Sequence, residues 1–190
     1  MIFRGLYDWC LNLAQHKHGE RYLALFSAAE SSFFPIPTDL MLAPLVMANR
    51  DRAWRLATIT ALSSVAGGLV GYLIGYFAFD MIGPWLESSA YWSLYQSANS
   101  WFEEWGFWAL FAAGFLPIPY KLFTIAAGAW AVPLPIFIIA SLIGRSARFF
   151  LVAAAVKYGG PYAEQHLLKY IDLIGWGIVI AGGAAWFLLR

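Results

Sequence analysis

One octapeptide occurs twice in this chain. Residues 33–40 read Phe-Phe-Pro-Ile-Pro-Thr-Asp-Leu and residues 115–122 read Phe-Leu-Pro-Ile-Pro-Tyr-Lys-Leu, agreeing at five of eight positions at a constant offset of 82. Each copy lies inside a long apolar segment, about 22–48 and about 105–131, where Pro-Ile-Pro removes two backbone donors and forbids a straight helix. In hydrocarbon an unpaired backbone group costs several kcal/mol, so a break at that depth must be buried in protein or line a wet cavity. Broken helices at matching positions of two halves point to a transporter's binding site.

Hydrocarbon is the right solvent to consider. The chain is 61% hydrophobic and 12% charged, against roughly 25% charged in soluble domains. Its apolar runs are helix-length and none alternates with period 2, which gives an all-α polytopic membrane protein and excludes a membrane barrel. Ten Trp, ten Tyr and fifteen Phe suit aromatic belts at the two membrane surfaces. The single Cys10 reads as a small apolar residue and supplies no disulfide framework. No removable signal peptide is apparent at the N-terminus.

In chain order, residues 1–21 form an amphipathic interfacial helix, too polar to span. His16, His18 and Glu20 within it do not make a metal site, because histidines two apart do not share a helix face. Residues 22–80 form the first repeat, with its broken segment followed by a span at 56–79. Gly67, Gly71 and Gly75 recur there every fourth residue, a stripe for close helix packing within one chain or between two, which leaves a homodimer open. Residues 81–104 read as a linker with an interfacial helix, 105–157 as the second repeat with a span at 134–156, and 158–190 as a C-terminal transmembrane helix at 170–189. All of it is one membrane domain.

The basic residues decide between topologies. If both broken segments are re-entrant hairpins, Arg4, Lys17, Arg21, Arg50, Arg52, Arg55, Lys157 and Lys169 share one face and only Arg190 lies opposite. That bias puts the N-terminus in the cytoplasm. Full crossing would separate Arg50, Arg52 and Arg55 from Lys17 and Arg21. Re-entry also makes the repeats inverted, the first hairpin opening to the cytoplasm and the second to the outside.

Five ionisable residues remain at depth: Glu30, Asp39, Lys121, Arg145 and Arg148. Isolated, they would cost on the order of 12–18 kcal/mol at roughly 2.5–3.5 kcal/mol each. They must therefore pair, take up protons or sit in water. The acids come from the first repeat and the bases from the second, and Asp39 and Lys121 occupy equivalent places. Arg145 and Arg148, three apart, share one helix face. With Lys121 they suit a phosphate, whose oxygens guanidinium forks bind two at a time. Glu30 and Asp39 are candidates for proton coupling, because carboxyl groups in a low-dielectric site can exchange protons nearer neutral pH than in water. A buried ion-pair network that only locks the halves together is the plainer reading of the same five residues. There is no nucleophile beside a base, no metal-ligand spacing and no phosphate loop, so no catalytic residue, metal or cofactor is expected and the protein reads as a non-enzyme.

The residues Ala29-Glu30-Ser31-Ser32-Phe33-Phe34-Pro35-Ile36-Pro37-Thr38-Asp39, the glycine-rich span Gly67-Gly68-Leu69-Val70-Gly71-Tyr72, the stretch from Gly114-Phe115-Leu116-Pro117-Ile118-Pro119 to Gly128, and Gly144-Arg145-Ser146-Ala147-Arg148-Phe149 resemble the DedA family, whose members carry the SNARE-associated or VTT domain. The likeness covers about residues 20–160 and is strongest to the smaller YqaA-like branch. It implies two re-entrant hairpins broken at Pro35, Pro37, Pro117 and Pro119, and essential acids at Glu30 and Asp39. It further implies a bacterial inner-membrane protein that moves lipid across the bilayer, undecaprenyl phosphate or phosphatidylethanolamine in some members, with activity linked to the proton motive force. In many members an arginine precedes the second Phe-x-Pro; here that place is Gly114, and a later arginine is replaced by Lys121.

The expected function is thus a lipid flippase or scramblase whose partners are a membrane phospholipid or polyprenyl phosphate and protons, with no nucleic acid. Two alternatives stand beside it. One is a proton-coupled transporter of a small solute or cation, which needs a closed aqueous cavity. The other is a non-transporting envelope scaffold, which needs partner surfaces that the short soluble loops scarcely provide.

Overall fold

The computed structural model describes residues 18–32, 37–89, 92–116 and 118–160, and their regular structure is helical throughout. Helix α1 is Gly19–Ser32, α2 Asp39–Ala48, α3 Ala53–Glu87, α4 Trp92–Phe115 and α5 Tyr120–Ala129, with a 3-10 turn at Arg50–Arg52. Helix α6 is Leu134–Gly160. Both interruptions fall at the repeated motif. Pro37 and Pro119 stand just ahead of α2 and α5, and Pro119 is extended at φ −64°, ψ 88°, the fixed φ from which a helix starts but cannot continue backwards. The helix pattern itself repeats at the sequence offset: Asp39 plus 82 is Lys121, one residue past the start of α5, and Ala53 plus 82 is Pro135, one past the start of α6.

Helix α3 is the ruler along which the other elements are placed. Near its start Arg55 meets Glu20 of α1 at 2.8 Å and Arg52 reaches the same carboxylate at 3.5 Å. Further along, the Ser27 hydroxyl donates to the Thr60 carbonyl (2.9 Å), Ser31 and Ser64 share a hydrogen bond (2.7 Å), and Ser32 donates to the Gly67 carbonyl (2.8 Å). Helix α1 thus runs beside α3, in the same direction, over the first half of its length. Where α1 stops, α5 begins: Tyr120 and Thr124 lie over Gly68 and Gly71, Ile125 over Gly75, and the Tyr72 hydroxyl donates to the Val132 carbonyl at 2.8 Å. From Arg55 to Gly75 is about 30 Å at 1.5 Å per residue. The two broken tips therefore meet near the middle of α3, while their other ends lie toward its opposite ends.

Helix α6 runs back antiparallel to α3. Phe137 and Ala140 pack with Tyr72 and Leu110, and Phe149, Val152, Ala153 and Val156 pack with Leu56, Ala57 and Leu23. It crosses α4 where Gly144 faces Gly114 and the Phe111 carbonyl.

Two described stretches, Arg50–Phe79 and Leu134–Gly160, are long and apolar enough to cross a bilayer. Their faces are arranged as lipid requires. On α3, Leu62, Val70, Leu73, Ile74 and Phe77 are exposed, while Thr60, Ser64, Gly67 and Gly71 are buried. On α6, Ile139, Leu142, Ile143 and Leu151 are exposed, while Ser141, Gly144 and Arg145 are buried. A water-soluble helix would turn the opposite face outward.

The connection between the halves is shorter than expected. In place of a linker over 81–104, α3 continues through Pro84 to Glu87 and α4 starts at Trp92. Gly83-Pro84 reads as a stop in sequence, yet a proline removes one rung of a helix ladder, and the rest of this 35-residue helix holds the turn. Helix α6 likewise runs to Gly160 rather than ending at 156. The interfacial helix before residue 18, Cys10, the span at 170–189, Pro35 and Pro117 lie outside the described residues.

Candidate functional site

The charges at the middle of the fold form two ion pairs. Arg145, on the inner face of α6, donates from Nη2 to Glu30 Oε2 at 2.6 Å; one turn on, Arg148 Nη2 bonds Asp39 Oδ2. Both carboxylates come from the first broken segment, Glu30 from the last turn of α1 and Asp39 from the first turn of α2. The charges belong to one copy each: the repeat equivalents of Glu30 and Arg145 are Ala112 and Ser63. The octapeptide repeats while these charges do not.

Arg145 has several partners besides its carboxylate. Its Nε donates to Ser64 Oγ at 2.5 Å and Nη2 also reaches Ser31 Oγ at 3.3 Å. The guanidinium carbon stands 4.8 Å from the Tyr120 ring centroid and 4.5 Å from that of Phe149. Glu30 Oε2 accepts further from Ser31 at 3.2 Å and Thr38 at 3.3 Å. Such a pair in a low-dielectric interior survives because most of its polar valences are met.

Arg148 has fewer partners. Besides Asp39 it has a long bond, 3.5 Å, from Nη1 to the Phe115 carbonyl. That carbonyl ends α4, where the helix dipole favours a cation, and Asp39 begins α2, where it favours an anion. Arg148 thus ties the two broken tips together. The other oxygen of Asp39, Oδ1, is buried with no hydrogen-bond partner among the described residues. The Tyr120 and Ser141 hydroxyls lie side by side without completing hydrogen-bond geometry, and both are buried with no other partner there.

Of the residues singled out in sequence, Glu30, Asp39, Arg145 and Arg148 come together. Lys121 stands in the first turn of α5 and makes neither of the two pairs. Pro37 and Pro119 flank the tips, and the glycines make room for them. A Cβ on Gly67 would fall 2.0 Å from the Ala28 carbonyl oxygen, one on Gly71 2.4 Å from Thr124 Oγ1, and one on Gly75 1.9 Å from the Ile125 carbonyl oxygen. Ser31, Ser64, Thr38, Tyr120 and Phe149 join the site although the sequence alone assigns them no role. The fourfold spacing of Ser27 with Ser31 and of Thr60 with Ser64, in otherwise apolar helices, was the available signal. Among the described residues no three His, Cys, Asp or Glu side chains cluster as a metal site would require. The arrangement offers two fixed guanidinium groups, each neutralised by one carboxylate, where two chain breaks meet. Such a pair can exchange its carboxylate for another oxyanion.

A family model described as the VTT domain matches residues 36–158. A protein of Haemophilus influenzae, described as uncharacterised, is 39% identical over 189 residues, covering 100% of this chain and 98% of its own. A relative in Histophilus somni, also described as uncharacterised, is 39% identical over 189 residues, covering 100% and 99%. Undecaprenyl phosphate transporter A of Staphylococcus aureus is 26% identical over 123 residues, 58% of this chain and 59% of that protein. No solved structure matches the chain.

Proposed function

The chain belongs to the VTT-domain family, also called DedA, and from that membership we propose that it is a membrane transporter moving a phosphate-bearing lipid between leaflets, as a flippase or scramblase linked to the proton motive force. The distant relative named for undecaprenyl phosphate transport favours a polyprenyl phosphate, with phosphatidylethanolamine as the second candidate. The observation that carries the reading is the double ion pair at the meeting point of the two tips, Glu30 with Arg145 and Asp39 with Arg148. Intramembrane charges of this kind mark a substrate or proton path.

The chemistry is an exchange of oxyanions. At rest each guanidinium is occupied by a carboxylate. A proton arriving on Glu30 or Asp39 removes the charge that holds its arginine, and a headgroup phosphate then takes the vacated donors two at a time. Loss of the proton reverses the preference and releases the phosphate. Lys121, in the first turn of the second tip, adds a cation near the path.

The tips belong to inverted re-entrant hairpins in this reading. The contact of Glu20 with Arg52 and Arg55 supports it, since α1 begins beside the start of α3, near which α2 also ends. The course of α5 toward the far end of α3 supports the opposite opening of the second hairpin. The protein is then a multi-pass component of the bacterial inner membrane with a cytoplasmic N-terminus.

Protein reconstituted in vesicles with a fluorescent phospholipid or polyprenyl phosphate tests the proposal. Arg148→Ala and Glu30→Ala should each abolish transbilayer movement, and unchanged rates in both would remove the reading.

A further inference from the structure

At the end of the bundle where α3 begins and α6 finishes, four cations gather, and two of them have no carboxylate partner among the described residues. Arg52 and Arg55 are answered by Glu20. Arg50 makes no ion pair or hydrogen bond among the described residues, although it is carried against another element: a Cβ on Gly160, the last residue of α6, would stand 3.1 Å from Arg50 Nη2. Gly160 adopts φ +61°, a conformation that glycine tolerates and side-chain-bearing residues resist. Lys157 lies three residues earlier on α6, about 4.5 Å along the axis and on the same face. Its ammonium has no carboxylate partner among the described residues either; it rests 5.3 Å from the centroid of the Trp54 ring and 5.8 Å from that of Tyr158. Trp54 stacks in turn on Phe150 at 5.8 Å, and Tyr158 is 75% exposed.

We propose that Arg50, Lys157, Trp54 and Tyr158 form a binding site for the headgroup of an anionic phospholipid, separate from the central ion pairs. The Arg50 guanidinium, beside Gly160, and the Lys157 ammonium, one turn earlier on α6, are the kinds of donor that phosphate oxygens take. Indole and phenol rings sit naturally at the depth of the glycerol esters, with an apolar body toward the chains and a polar edge toward water. The same end contains its own control, because Arg52 and Arg55 carry equal charge but already share the Glu20 carboxylate. A merely basic surface would not distinguish the two pairs.

Native mass spectrometry of the full chain in micelles doped with phosphatidylglycerol, or with phosphatidylcholine in parallel, decides the matter. Wild type should retain phosphatidylglycerol preferentially. Arg50→Gln/Lys157→Gln should weaken that retention by about 30-fold, from roughly fivefold for each cation near a membrane surface, and Arg52→Gln/Arg55→Gln should weaken it less than about threefold. Equal losses in both double variants would reduce the site to surface charge, and undiminished retention in Arg50→Gln/Lys157→Gln would also overturn it. Soluble glycerol phosphate should not displace the lipid, since it lacks the chains that the rings hold; displacement would assign the site to a free phosphate instead. Lipid transport through the central pairs is measured separately, so either proposal can fail without the other.

Discussion

Arg145 and Arg148 lie one turn apart on the same helix, yet they stand in different chemical settings. Arg145 uses its planar fork at two nitrogens, Nε on Ser64 and Nη2 on Glu30 and Ser31, and lies against the rings of Tyr120 and Phe149. A lysine can replace the charge but not the fork or the stacking. Arg145→Lys should therefore lower stability by about 2–3 kcal/mol, the range of hydrogen bonds to charged groups. Arg148→Lys, which keeps the charge beside Asp39 and loses only a long bond to Phe115, should cost less than about 1 kcal/mol. Thermal unfolding in detergent compares the two, and equal midpoints would contradict this division. Ala131, exposed in the turn between α5 and α6, adopts φ 50°, which disfavours any residue with a Cβ. Ala131→Gly should raise stability by about 0.5–1 kcal/mol in the same assay.

At the scale of elements, the glycines of α3 set how close the broken segments can lie. Gly67 and Gly75 face backbone carbonyls of α1 and α5, which cannot yield as a side chain can. Gly67→Ala or Gly75→Ala must therefore push a whole helix away, and each should cost at least about 3 kcal/mol, the upper range for overpacked sites. Gly83, on the same helix, is the comparison, since its added Cβ would meet only the Phe79 ring at 3.5 Å. Gly83→Ala should be neutral or stabilising by up to about 1 kcal/mol through helix propensity. A similar gain at all three positions would mean that helix propensity, and not close approach, governs them. The motif Pro-Ile-Pro made both chain breaks legible in sequence, because a missing N–H acts on its own turn whatever surrounds it. Pro84 shows the limit of that reasoning: alone, within a long helix, it left the helix intact.

For the whole molecule, the decisive property is on which side each end of the broken segments lies. In a background with Cys10→Ser, cysteines introduced at the exposed positions Arg21 and Asn49 should react with an impermeant reagent from one side of the membrane, and one at Ala131 from the other. Labelling of positions 21 and 49 from opposite sides would mean that the first segment crosses completely, and the shared meeting point of the tips would lose its functional meaning. The double ion pair has a consequence at this scale too. It joins the first broken segment to the last described helix, so removing either arginine leaves a carboxylate buried and uncompensated, a loss of about 3–5 kcal/mol.

Local chemistry and composition sufficed for the helical class, the two interruptions and the set of charges that had to be compensated. Each follows from a property carried by a few residues in any context: absent donors, hydrophobic length, the high energy of an ion in hydrocarbon. Which acid meets which base depended on the tertiary structure, because Glu30 and Arg145 are 115 residues apart in the chain and become neighbours only through the packing of α1 and α6 against α3. The serine and tyrosine partners of Arg145, the bridge from Arg148 to both tips and the setting of Arg50 and Lys157 at the end of α6 were likewise decided by assembly. Sequence names the charges, and only the packed helices determine what stands within 3 Å of them.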